Sequence, residues 1–252
     1  DVEKACDWLR ENGIAKAAKK SGRIAAEGLS LTAVNGNVAA LVELNCETDF
    51  VCANAEFKAL LKTITEAVAA NKPATLDDAN AIVVNGQSIA DMVVAATAKI
   101  GEKISFRRFE LVSKNDDQLF GTYLHAGGKK GSIVVVNGTD EVAQNMAMQV
   151  VATIPTYVLK SEVPAEYIEK ELKIRIDAAN ANGRPLNERA YAGIKNKIAE
   201  EVSLESQEFI LEDKVSVGSY LAREKSSVAK FVYYIVGEGM EKKQEDFAAE
   251  VM

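Results

Sequence analysis

Few residues in this sequence are of a type and spacing that could do chemistry. The single histidine, His125, stands just before Gly127-Gly128-Lys129-Lys130-Gly131. A glycine-rich turn with lysines suits a phosphate. A P-loop, however, needs Gly-x4-Gly-Lys followed by Ser or Thr, and no glycine here is followed by Lys-Ser or Lys-Thr, so a hairpin turn is the simpler reading. Gly237-Glu238-Gly239 lacks the third glycine of a dinucleotide fingerprint and follows the last strand-like segment. Cys46 and Cys52 have no second pair and lie far from His125 in sequence, which argues against zinc. One histidine rules out multi-histidine metal sites, and a Ser-His-Asp or Cys-His centre would have to be built on His125. That residue falls at a strand end beside a glycine turn, where an exposed surface histidine is expected. Arg107-Arg108, flanked by Phe106 and Phe109, could stack on nucleic acid; a solvated sheet face with ion pairs to nearby carboxylates fits an acidic chain better.

The most unusual local feature is Cys46-Glu47-Thr48-Asp49-Phe50-Val51. Thr48 or Asp49 can cap a short helical turn, setting a carboxylate and an aromatic ring side by side at a tip. Two arrangements follow. Phe50 tucks back against its own helix, which spacing alone favours, or Asp49-Phe50 is a wedge offered to a partner.

The chain has 252 residues, 30 Lys+Arg against 37 Asp+Glu, a net charge of −7 and 48% hydrophobic residues. This is globular composition, with length enough for one large domain or two to three small ones. The acidic balance argues against binding nucleic acid by general phosphate neutralisation. No apolar run approaches the roughly 20 residues of a membrane helix, and no charged-then-apolar signal peptide is present. Three cysteines are too few and too odd in number for a disulfide framework, so a reducing cytoplasm is expected, bacterial or in an organelle matrix.

Periodicity supplies the elements that would position these residues. An amphipathic helix over 1–12, with Val2, Ala5, Cys6 and Leu9 on one face, should stop at Asn12-Gly13, and an Ala/Lys-rich stretch to Lys20 reads as a linker. Leu29 to Val34 and Asn37 to Leu44 read as strands joined by Asn35-Gly36. A helix follows from Glu56 to Ala70, with Phe57, Leu60, Leu61, Ile64 and Val68 recurring, and is closed by Lys72-Pro73. After a short insert come a helix over Ile89–Lys99 and a strand over Lys103–Val112. Beyond the charged loop 113–117 the order recurs: strands Leu119–His125 and Ser132–Val136, then a helix from Asp140 to Thr153. Pro164 to Val202 reads as two antiparallel helices around Asn182-Gly183-Arg184-Pro185, with Ile168, Leu172 and Ile176 on a narrow stripe. A short helix Val217–Arg223, a strand Ala229–Val236 and a polar helical tail with Phe247 and Val251 complete the chain. The expected class is α+β: two related subdomains, each with a small antiparallel sheet and helices, plus an inserted helical coiled-coil hairpin and a C-terminal helix.

At Asn45-Cys46-Glu47-Thr48-Asp49-Phe50-Val51 the sequence resembles the elongation factor Ts family, nucleotide exchange factors of elongation factor Tu. Lys16 to Gly22, Ala25-Ala26-Glu27-Gly28, Lys99-Ile100-Gly101-Glu102 and the run from Val236 to Lys242 with Asp246 to Val251 match as well, in order along the chain. The resemblance implies residues 1–23 as the end of an N-terminal helical (UBA-like) module and linker, 24–117 as one core subdomain, and 118–163 with 203–239 as the other. It also implies 164–202 as a dimerisation-type hairpin and 240–252 as a C-terminal module. Family members begin with further helices that add to the partner interface, whereas this sequence starts at what resembles the last of them. The resemblance further implies no catalytic residue, cofactor or metal of the chain's own. Thr48, Asp49, Phe50 and Val51 would displace Mg²⁺ in elongation factor Tu, binding its GDP-bound and nucleotide-free forms. His125, Gly127 and Phe247 would make further partner contacts, with homodimerisation through the hairpin and no nucleic acid or membrane involved. The alternatives are a non-catalytic assembly module acting through the hairpin, and a small-molecule enzyme built around His125 and Gly127-Gly128.

Overall fold

The computed structural model describes residues 2–241, with side chains from Gly13 onward together with those of Lys4 and Glu11. The chain forms two compact units. Among the described residues, one comprises 2–114, 124–131 and 232–241, the other 115–123 and 132–231.

The first unit opens with helix α1 (Val2–Lys20). The expected stop at Asn12-Gly13 does not occur. Gly13 is buried in mid-helix, and a Cβ there would lie 3.7 Å from the Cβ of Ala98, so this glycine serves close helix packing rather than termination. The Ala/Lys-rich stretch beyond it is good helix-forming sequence and continues the helix. The stripe of Val2, Ala5, Cys6 and Leu9 lies outside the described side chains.

Strands β1 (Glu27–Asn35) and β2 (Val38–Cys46) form an antiparallel hairpin, with Asn35 opposite Val38. The two loop residues are therefore Gly36 and Asn37, one position later than expected, and Gly36 takes φ +60°. A glycine at the first loop position suits the backbone twist of a tight hairpin. Helix α2 (Asp49–Ala53) is followed by α3 (Ala55–Asn71), whose Phe57, Leu60, Leu61, Ile64 and Val68 pack on Ala40, Val42, Leu44 and Cys46 of β2. The short insert proves to be structured. Helix α4 (Leu76–Ala81) carries a capping box between Thr75 and Asp78, and β3 (Val83–Val84) pairs with β4 (Gln87–Ser88). Helix α5 (Ile89–Ile100) and strand β5 (Ser105–Ser113) complete a three-stranded sheet in the order β1-β2-β5. Every residue of the central strand β2 is buried.

Strands β6 (Leu119–His125), β7 (Lys130–Asn137) and β8 (Ser227–Ile235) form the second three-stranded sheet, in that order. In the second unit, α6 (Asp140–Thr153) buries Val142, Met146, Ala147 and Val150, and Ser132 Oγ donates to the Ala147 carbonyl at 2.8 Å. Gly121 lies so close to this helix that a Cβ would stand 1.9 Å from the Ala143 carbonyl oxygen. Helices α7 (Ala165–Ala181) and α8 (Tyr191–Glu201) form the inserted hairpin, linked by Lys195–Glu169 and Arg175–Glu201 ion pairs. Helix α9 (Val217–Arg223) buries Tyr220, whose ring stacks on Phe209 at 4.1 Å between centroids. Helices and small antiparallel sheets together give the expected α+β class. The expected C-terminal helix and Phe247 lie outside the described residues.

Candidate functional site

Strand β2 ends at Cys46, and the next residues turn outward as a tip. Two carboxylates pin its base. The Thr48 N–H donates to Glu102 Oε2 at 2.9 Å and the Thr48 hydroxyl to Oε1 at 2.6 Å. In the opposite direction, the Lys103 N–H donates to Glu47 Oε1 at 2.6 Å, and Arg23 Nη1 approaches the same oxygen at 3.2 Å. Each segment thus lends a carboxylate to the other's backbone. Glu102 can reach because α5 ends at Gly101 with φ +88°, a left-handed turn that suits glycine.

The structure corrects the expected role of Thr48. It stands at the N-cap position of α2, yet its side chain makes no capping bond, because the hydroxyl is engaged by the charged Glu102 acceptor. Asp49 lies in the first turn and is exposed. The tucked-back Phe50 is also overturned, for the ring is 84% exposed. The reason is helix length. In five residues, Val51 and Cys52 take the buried face, and Asn54 leaves helical geometry before any residue four positions on could cover Phe50.

His125 is exposed and precedes a 3-10 turn, Ala126–Gly128. Gly127 is exposed with φ +68°. Gly128 is buried, its carbonyl accepts from Ser30 Oγ at 2.9 Å, and a Cβ there would stand 2.7 Å from the Ser30 carbonyl oxygen. Close packing on β1 therefore accounts for that glycine. The next residue, Lys129, pairs with Glu27 and places Nζ 3.6 Å from the Cys52 sulfur on the inner side of α2. The two sequence-predicted segments thus meet through Lys129.

Arg107 and Arg108 form ion pairs as expected, but not on a solvated face. Glu43 lies directly opposite Arg108 and Leu44 opposite Phe106, so Arg107 is an extra residue, a β-bulge. Neighbouring strand residues normally face opposite ways, whereas this bulge lets both arginines reach one carboxylate, at 2.9 Å and 2.6 Å. That carboxylate is fully buried. It also accepts from the Gly237 N–H at 2.9 Å and from Asn45 Nδ2 at 3.0 Å. Arg108 additionally lies 4.0 Å over the Tyr234 ring. Burial pushes the Glu43 pKa up, but the Gly237 N–H, both arginines and Asn45 outweigh it and hold the carboxyl below its ordinary range.

Sequence reasoning missed the Glu102 clamp and the Glu43 cluster. Lys99-Ile100-Gly101-Glu102 stood out as a motif, but a loop acid gives no sign of its partner 54 residues away. Among the described residues there is no cluster of three or more His, Cys, Asp or Glu able to hold a metal. No helix among them is long and apolar enough to cross a membrane.

A family model described as "Elongation factor TS" matches residues 47–238. The elongation factor Ts of Lacticaseibacillus casei (strain BL23) is 47% identical over 256 residues, covering 100% of this chain and 87% of that protein. The elongation factor Ts of Pediococcus pentosaceus is 44% identical over 254 residues, and that of Limosilactobacillus reuteri (strain DSM 20016) 43% over 254, with the same coverage.

Proposed function

The chain belongs to the elongation factor Ts family, and from that premise we propose that it is a guanine nucleotide exchange factor for elongation factor Tu in translation elongation. The observation that carries the proposal to particular residues is the exposed Phe50 ring beside exposed Asp49, on a tip whose base is clamped by Glu102 and Glu47.

No catalytic residue is required. A protein that binds the nucleotide-free partner more tightly than the GDP-bound one must, by reciprocity, weaken GDP binding by the same factor. Asp49 and Phe50 act as a wedge at the partner's nucleotide site, where disturbing Mg²⁺ coordination leaves phosphate charge unneutralised. Thr48 and Val51 hold the wedge from behind. His125 and Gly127 make a further contact to the partner, and Phe247 another. The setting is the cytoplasm, and the chain works without a cofactor or nucleic-acid contact of its own.

A fixed tip serves this role better than a mobile one, since ordering it on binding would consume part of the interaction energy. The test is release of a fluorescent GDP analogue from elongation factor Tu with catalytic amounts of this chain. Accelerated release is expected; binding without acceleration would overturn the reading.

A second reading takes the α7–α8 hairpin, where Ile174 is 50% exposed, as the functional surface of an assembly module or homodimer. Complex formation that is indifferent to added GDP would favour it, because only exchange requires GDP to compete with the protein.

A further inference from the structure

Five residues separate Cys46 from Cys52, and they are Glu47 to Val51, the whole of the tip. Both cysteines are free and buried, and their sulfurs lie 3.6 Å apart. Cys46 Sγ also lies 3.1 Å from the Thr48 carbonyl oxygen, and Cys52 Sγ 3.4 Å from the Gly28 carbonyl oxygen. Lys129 Nζ stands 3.6 Å from Cys52 Sγ. The arrangement holds two thiols in van der Waals contact with an ammonium beside one of them. Closing to a disulfide needs an approach of about 1.5 Å, to a bond near 2.05 Å. The short helix α2 carrying Cys52 follows β2 through the Glu47–Thr48 turn.

We propose that Cys46 and Cys52 are a redox-active dithiol which a hydroperoxide closes to a disulfide, locking the tip between them. The two cysteines divide the chemistry. Cys46, fully buried, has its thiol pushed up, first by its bond to Cys52 and then by burial. Cys52, 7% exposed, is lowered to about 7 by the bond from Cys46, against burial and with help from Lys129. Cys52 is therefore the attacking thiolate and Cys46 the resolving thiol. The Cys52 sulfur attacks one peroxide oxygen, the O–O bond breaks, and hydroxide leaves and takes up a proton as water, giving a sulfenic acid. The Cys46 sulfur then attacks that sulfur, the S–O bond breaks, and the Cys46 proton leaves with the hydroxyl as a second water. Two thiols and one hydrogen peroxide become one disulfide and two waters. Thiol reductants reverse the change.

The dithiol chemistry stands independently of the exchange reading, whereas its consequence for the tip rests on it. A disulfide draws the far end of α2, where Cys52 sits, toward the end of β2 and re-aims Asp49 and Phe50. The test takes the full chain with Cys6→Ser to remove the third thiol, oxidises it with hydrogen peroxide, blocks free thiols with N-ethylmaleimide and maps peptides by mass. A 46–52 disulfide that dithiothreitol reverses is expected, with neither Cys46→Ser nor Cys52→Ser forming it. Alkylation of both cysteines after peroxide, or sulfinic acid on Cys52 beside a free Cys46, would overturn the proposal. In the GDP-release assay the oxidised chain should act at least threefold more slowly than the reduced one and recover with dithiothreitol. An unchanged rate with the disulfide formed would refute the locking of the tip. A reduced chain that never accelerates release would count against the exchange reading and leave the dithiol to stand on the mass map.

Discussion

Of the three acidic residues on strand β2 and its extension, Glu43 in mid-strand and Asp49 just past its end have opposite fates. Glu43 is wholly buried and met by two arginines, a backbone N–H and an amide, so its negative charge is neutralised inside the chain. Asp49 is exposed beside an exposed aromatic ring, just past a Thr48 N–H that Glu102 holds. The lesson is that residue type says little about role. A carboxylate neutralised within its own chain has nothing left for a partner, while one held out on a clamped tip does. Arg107-Arg108 and Asp49-Phe50 both look like binding pairs in sequence, and the structure uses the first to hold the sheet and frees the second.

The sharpest way to break this contrast is to remove Glu43. Glu43→Ala leaves two half-buried guanidinium groups and the Gly237 N–H without their shared acceptor, and should destabilise the chain by about 3–5 kcal/mol. Urea unfolding followed by circular dichroism measures this, and a loss under about 1 kcal/mol would show that the cluster is not structural. Phe50→Ala tests the other side. The ring is 84% exposed, so stability should change by less than about 0.5 kcal/mol. GDP release should slow at least about tenfold, near 1.4 kcal/mol of barrier. A variant that unfolds early, or exchanges at the unaltered rate, would erase the distinction.

The pH dependence should divide the same way. Glu43 has its folded pKa below the ordinary value of 4.5. The unfolded chain therefore takes up a proton first as pH falls. The stability Glu43 supplies is complete above that value and is lost as pH drops through the lowered one. One group contributes at most about 1.4 kcal/mol per pH unit. The stability difference between the unmodified chain and Glu43→Gln should be flat from pH 6 to 8 and shrink below about pH 4.5. A difference constant down to pH 3 would mean that Glu43 carries no lowered pKa.

Much of the scaffold was legible because period-2 and period-3.6 patterns were strong where burial was one-sided. Helix α3 displayed Phe57, Leu60, Leu61, Ile64 and Val68 on one stripe, and all five are buried. Helix α6 and strand β6 begin and end where the pattern says. Legibility failed where a local signal competed with a tertiary one. Gly13 looks like a stop because nothing in sequence reveals Ala98 beside it. Arg107 and Arg108 look solvated because a bulge is a property of two strands, and Glu43 gives no sign that it is their partner. The tip itself could be read as a feature, but not its direction: an aromatic in a five-residue helix points wherever Val51 and Cys52 do not.

Glu102 offers the subtlest test, since it joins the two regimes. Its carboxylate is bound within the chain, as Glu43's is, yet what it holds is the base of the exposed tip. Glu102→Gln keeps the shape but replaces a charged acceptor of two hydrogen bonds with a neutral amide whose nitrogen cannot accept. The loss should be about 1 kcal/mol. If Glu102 merely stabilised the fold, that cost would be read in unfolding and exchange by the folded fraction would be unaltered. If it positions the tip, GDP release should slow about threefold to fivefold at saturating folded protein. Phe50→Ala should then make the Glu102 substitution nearly silent in exchange, because a misaimed tip matters only while it carries the ring. Additive losses in the double variant would mean that Glu102 acts elsewhere, and that the clamp and the wedge are separate things.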